Sequence, residues 1–249
     1  MFEDLYIDKV PMISSLSYIM NTKKREHYNH FDILEAVIRY KFDRASGPEG
    51  SVMETVTWDF YIKNNSQEAI TSMVMMVSKS VFSKFENIKL TAMNTDTKQR
   101  LHLSPKAVCG SQRYVEIVFD GRGITAGEVM RLQLKMQWTK TYQLTETEFL
   151  IVDPMNYSLK TQHVKTIFET NCDDLANVPV QYLSVDRKLL AKRKPVYNTC
   201  IQPINNGSYG FSHDFSPEKN RLYLIKIDYT PQNETAIENE TKTLVGSAH

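Results

Sequence analysis

The sequence has no apolar run approaching the roughly 18 residues that a membrane-spanning helix requires, and no basic, apolar leader at its start. It opens on the acidic Met1-Phe2-Glu3-Asp4, and residues 10–16 are too polar and too broken by Pro11 to form the core of a secretory leader. Cysteine is scarce: Cys109, Cys172 and Cys200 are an odd number, far apart, with no CxxC pair. That excludes a disulfide framework and a cysteine-rich zinc site, and it suits a reducing compartment. Five Asn-x-Ser/Thr sequons, at Asn64, Asn156, Asn206, Asn233 and Asn239, have no export signal to give them meaning. The expected location is the cytoplasm. Excess charge is also lacking. Lys and Arg number 30 against 29 Asp and Glu, so the whole surface is not that of a nucleic-acid or anionic-membrane binder, although a local basic patch remains open.

Catalytic signatures are missing as well. There is no Gly-x-Ser-x-Gly elbow and no HExxH helix. Gly121, Gly123 and Gly127 make a glycine string, but a phosphate loop needs a following helix to supply orphan N–H groups, and here a strand pattern follows. No cofactor is expected.

What the chain has is strands. Across residues 130–138, Met130, Leu132, Leu134, Met136 and Trp138 alternate with Arg131, Gln133, Lys135 and Gln137, which predicts an antiparallel strand with one wet face. The same period places Val56, Trp58, Phe60 and Ile62 inward on a strand over residues 52–63. Further strands are predicted over 33–42, 69–77, 88–93, 99–103 and 114–119, with a short helical turn over 78–86. Later strands fall at 148–152, 162–169, 178–185, 194–200, 208–213 and 221–229. The loop 120–128 holds the three glycines, and Ile124 within it plugs the end of the core.

The fold expected is mostly β, with two consecutive antiparallel β-sandwich units of immunoglobulin-like appearance. The first spans residues 30–142 and the second 147–230. They are preceded by a partly helical segment, 1–29, and followed by a polar tail, 231–249. One larger sandwich using all the strands is the competing architecture. The strand over 221–229 is expected to close the second unit.

Each candidate for chemistry has a plain alternative. Cys172 lies in the polar loop Asn171-Cys172-Asp173-Asp174 after the strand that carries His163, so a Cys/His pair oriented by Asp173 or Asp174 forms only if the chain folds back. His27 and His30 have helical spacing but lack a second pair of ligands, and His213-Asp214 sits in a polar turn, so no metal is expected. Arg187, Lys188, Lys192, Arg193 and Lys194 place five positive charges within eight residues. With Tyr182 and Tyr197 nearby they form a candidate site for nucleic acid or an anionic, nucleotide-like ligand, the plain reading being a solvated hairpin tip. The apolar run over residues 70–77 marks Met73 and Met75 as either buried or docked against a partner.

Function is therefore expected to be non-enzymatic: binding of a protein partner, or self-association, through strand edges and end loops. The alternatives are a sensor or nucleic-acid binder at the basic cluster, and a hydrolase with its site between the two units.

Overall fold

A computed structural model describes residues 31–47, 51–76, 88–109, 112–138, 142–144, 147–151, 160–186, 193–205, 207–218 and 221–229. The expected N-terminal helix, the helical turn over 78–86 and the polar tail lie outside these residues, as do His27 and His30. The described residues form strands and one short 3-10 turn, and none of their helices is long and apolar enough to cross a membrane.

The strands are β1 Phe31–Arg44, β2 Ser51–Asn64, β3 Ser72–Met76, β4 Ile88–Asn94, β5 Gln99–Cys109, β6 Gln112–Val118, β7 Val129–Trp138, β8 Tyr142–Gln143, β9 Thr147–Ile151, β10 Lys160–Thr161, β11 Val164–Thr170, β12 Pro179–Asp186, β13 Arg193–Cys200, β14 Gln202–Pro203, β15 Tyr209–Phe215 and β16 Arg221–Asp228. The larger sheet has the order β14-β15-β11-β1-β2-β7-β4-β5-β6-β3, with β10 beside β1 and β8 beside β2. The smaller has the order β13-β12-β16-β9.

This arrangement corrects the expectation of two consecutive sandwiches. β1 from the first half pairs in parallel with β11 from the second, Ala36 opposite Val164 through Phe42 opposite Thr170, so one sheet runs across residues 143–146. One core cluster likewise holds Phe42 and Trp58 together with Phe168, Tyr182 and Ile225. Local alternation tells which face of a strand is dry but not which strand lies beside it. A second correction concerns β16, which is interior, between β12 and β9, and does not close its sheet.

The alternation itself is reproduced in three dimensions. Ile38, Trp58, Leu134 and Ala92 lie in one cross-strand row through β1, β2, β7 and β4, and all four are buried. In β1 the buried positions shift phase, from Phe31 and Ile33 to Ala36, Ile38, Tyr40 and Phe42. Opposite β2 the register moves by one between Ile33 and Glu35, so Leu34 is an extra, bulged residue that resets which side chains point inward. The same parity carries Glu54 of β2 onto the dry face, where it is wholly buried.

The end loop between β6 and β7 is tied down by Asn64. This side chain is buried; its amide donates to the carbonyls of Glu68 and Ile124, each at 2.8 Å, and its oxygen accepts from the backbone N–H and hydroxyl of Ser66. The sequon asparagine is thus fully engaged in the core of the loop. Ile124 is buried and exchanges two backbone hydrogen bonds of 2.9 Å with Ile70. Gly123 permits this approach: φ is +73°, and a Cβ there would run into the Ile70 carbonyl. The Glu128 carboxylate closes the loop by accepting from the backbone N–H and hydroxyl of Thr125, bonds that hold its pKa below the ordinary carboxylate value.

Candidate functional site

Residues 193–203 run as one length of chain that changes sheets. β13 pairs with β12 in the smaller sheet, Ile201 turns inward with backbone bonds to Asn177 and Val178, and β14 then pairs with β15 in the larger sheet. Such a strand makes a corner between the two sheets. Both of its pieces are edges, because β13 ends the smaller sheet and β14 ends the larger.

Between these edges lies a seam of rings. Tyr197 of β13 stacks on His213 of β15 with centroids 4.2 Å apart and planes 7° from parallel. Phe215 lies 5.5 Å beyond His213 at 17°, and the Tyr182 ring packs on His213 at 4.4 Å from the core side. The Tyr182 hydroxyl and the Thr166 hydroxyl share a short hydrogen bond, and Thr166 also donates to the His213 carbonyl at 3.3 Å. Burial drives the Tyr182 phenol far above its ordinary pKa and pushes the His213 imidazole below its own, with the Asp214 charge partly opposing the latter. His213 is thus held as a ring within a stack.

This corner carries exposed apolar side chains among exposed polar ones such as Lys194, Asn198 and Gln202. Val196 is 48% exposed, Tyr197 40% and Ile204 48%, and these are the exposed large hydrophobic residues among those described. Their position has a local cause. Tyr182 pairs with Tyr197 but Leu183 pairs with Pro195, so Val196 is a bulged residue and faces solvent. Pro195 has no N–H to offer, and with the bulge it blunts β13 against ladder extension.

The sequence candidates distribute as follows. Lys194 is exposed at the start of β13; Arg193 pairs with Val185 on the backbone; Arg187, Lys188 and Lys192 fall in the β12–β13 connection, outside the described residues. Of the two tyrosines considered for base stacking, Tyr182 is buried and only Tyr197 has an open face. Met73 is 5% exposed and packs in the core on β3, the terminal strand of the larger sheet, while the Met75 side chain is outside the description. Cys172 and His163 are not brought together. They flank opposite ends of the seven-residue β11, more than about 20 Å apart at strand rise. Cys172 is buried, and that burial raises its thiol pKa. His163 instead meets Asp214 at 3.3 Å, alongside Lys165 at 3.5 Å, as half-exposed surface pairs. Asp174 accepts from Arg44 at 2.6 Å and from the Tyr229 hydroxyl at 3.1 Å, a tie between the two sheets. Among the described residues no group of three His, Cys, Asp or Glu could hold a metal ion.

Val196, Ile204 and the His213 stack were missed in the sequence. One signal was present: an adjacent apolar pair, Val196-Tyr197, inside a strand must put one member on the wet face unless both faces are covered.

No protein-family model matches the chain, and no curated protein does. Several solved structures are similar to it. A candidate nutrient-binding protein of Legionella pneumophila aligns at 12% identity and TM-score 0.44, over 79% of this chain and 67% of that one. The M1 zinc metallopeptidase of Deinococcus radiodurans aligns at 13% identity and TM-score 0.44, over 80% of this chain and 42% of that one. Native yeast LTA4 hydrolase aligns at 10% identity and TM-score 0.44, over 86% of this chain and 33% of that one. The chain spans about two fifths of the metallopeptidase and a third of the hydrolase. Likeness of this degree assigns no residue a role.

Proposed function

We propose that the chain is a non-enzymatic β-sandwich module that binds a protein partner at the corner formed by β13 and β14. The observation that carries this reading is the concentration of exposed apolar side chains: Val196, Tyr197 and Ile204 fall within nine residues of chain, the first two on the edge strand β13 and the third just after the edge strand β14. Solvent-facing aliphatic and aromatic groups close together along one stretch of chain support an interaction surface there. The Tyr197–His213 stack holds the central ring, so little of its freedom is left to lose on binding. The nucleotide or nucleic-acid alternative is less well supported, since Tyr182 offers no open ring and aliphatic groups give bases little to stack on. A hydrolase site is less well supported too, because Cys172 is buried away from His163.

Panning a random-peptide library against the folded protein tests the reading. Selected peptides are expected to lose binding to a Val196→Asp/Ile204→Asp double variant that retains the wild-type circular dichroism. Peptides that bind the double variant as well as the wild type would overturn the assignment of the corner.

A further inference from the structure

We infer that the end loop between β6 and β7 holds a site of spontaneous covalent modification, at which Asp120 cyclises onto the backbone nitrogen of Gly121 and reopens as isoaspartate. It is a property of the loop alone and needs no partner at the corner. Asp120-Gly121 is the one Asp-Gly step in the chain; every other aspartate precedes a residue with a side chain. A side chain there crowds the attacking nitrogen, and glycine has none. Both residues are exposed, and a Cβ on Gly121 would meet nothing within 4 Å, so the carboxyl has room to approach. Among the described residues nothing pairs with the Asp120 carboxylate or accepts from the Gly121 N–H. Asn64 and Asn94 instead spend their side-chain oxygens on backbone N–H groups two residues on, the usual local use of such a side chain at a turn. The neighbouring cation, Arg122, faces Glu128 at 3.5 Å.

The chemistry balances without an oxidant or cofactor. The Gly121 nitrogen bonds to Cγ of the protonated Asp120 carboxyl; the amide proton and the carboxyl hydroxyl leave as water, and a five-membered imide results. Water then adds at the Asp120 main-chain carbonyl and breaks its bond to nitrogen. The chain now runs through Cβ and Cγ, and the former main-chain carbonyl has become a free carboxylate. One water leaves and one returns, so mass is unchanged. The loop has little slack for the extra main-chain carbon. Phe119 N–H donates to the Thr71 carbonyl at 2.8 Å on one side, and Ile124 exchanges its two 2.9 Å bonds with Ile70 on the other. Between these pins, Gly123 N–H donates at 3.1 Å to the Asp120 carbonyl that the reaction takes out of the main chain. Isomerisation therefore loosens the seat of Ile124 in the core.

The test is prolonged incubation of the folded protein near body temperature, followed by peptide mapping with electron-transfer fragmentation, which distinguishes isoaspartate from aspartate. Isoaspartate is expected at position 120 with no change in mass, at a rate within about tenfold of that in the urea-unfolded chain, as a loop that opens at little cost allows. Asp120→Glu keeps the charge but would need a six-membered ring, and should abolish the product. Asp120→Asn should hasten it, because ammonia leaves more readily than the carboxyl oxygen. The Asn206-Gly207 step reaches the same kind of imide with loss of ammonia, and the mass gain at that peptide keeps the two sites apart in one map. Amide exchange at Ile124 should quicken in the isomerised fraction. Isoaspartate at position 120 in the unfolded chain but not in the folded protein would overturn the assignment of the site. Unchanged exchange at Ile124 after isomerisation would overturn the loosening of the loop.

Discussion

Tyr197 and His213 lie face to face across the gap between the two sheets, 4.2 Å apart and 7° from parallel. Neither strand hydrogen-bonds to the other in a ladder; β13 belongs to the smaller sheet and β15 to the larger. The stack is therefore a tie between the sheet edges at the corner proposed to bind. A ring pair of this kind contributes about 0.5–1.5 kcal/mol beyond its buried area.

Protonation of His213 should loosen that tie. Burial lowers its pKa in the folded protein, against a smaller upward pull from the Asp214 charge. The unfolded chain then takes up the proton first as pH falls, from an ordinary imidazole value of about 6.5. The stabilising contribution is present above that value and is lost as pH drops toward the folded-state pKa. Urea unfolding of the wild type should show stability falling below about pH 6.5, and His213→Phe, which keeps a ring in the stack, should reduce that slope. An unchanged slope would show that the imidazole is not the group responsible.

Asn64 should be far more costly to replace than its place in a sequon suggests. Its amide serves two carbonyls and its oxygen two donors, all in a buried setting. Asn64→Ala leaves the Ile124 and Glu68 carbonyls without those partners, a loss of about 2–4 kcal/mol in denaturant unfolding. Asn64→Asp should be at least as damaging, since it turns a carboxylate toward two carbonyl oxygens. A loss under about 0.5 kcal/mol, the size of an ordinary surface change, would contradict the role assigned to it.

The strands of this fold were legible because alternation is a local property. Met130 through Trp138 could be assigned from nine letters, and the buried face came out as read. Partnership was not legible. Nothing in Val37 or Lys165 says that they pair in parallel, because that contact unites distant segments and leaves no period in either. The Leu34 bulge hid in the same way, as a phase change that looks like noise until β2 is laid beside it. At the candidate site the basic run was visible in the letters. The ring stack was not, since Tyr197 and His213 are joined only by the packing of one sheet edge on another.

Cys172 should be the slow thiol. It is 2% exposed, and its burial raises the thiol pKa, so little thiolate forms and little of it is reachable. Cys200 is only partly buried. In a Cys109→Ser background, a chromogenic disulfide reagent should modify Cys200 in the native protein and Cys172 only on unfolding. Equal native rates would show that the loop at Cys172 opens readily.

Gly123 offers the sharpest test of the end loop. Its φ of +73° lies in the left-handed region, and a Cβ there would strike the backbone carbonyl of Ile70, which cannot swing aside as a side-chain tip can. That carbonyl is also the acceptor for the Ile124 N–H, one of the two 2.9 Å bonds that bridge the loop to the chain before β3. Gly123→Ala must therefore strain the backbone, displace Ile70, or break the bridge and withdraw Ile124 from the core. Backbone strain of this kind costs about 1–3 kcal/mol. Gly121→Ala is the control, for φ is +59° there but a Cβ would meet nothing within 4 Å, so it carries the conformational penalty without the collision. Gly123→Ala should lower the urea midpoint clearly more than Gly121→Ala, and amide exchange at Ile124 should quicken in the first variant alone. Matching losses in the two variants would mean that left-handed geometry is the whole cost, and that the approach to Ile70 does not hold the loop.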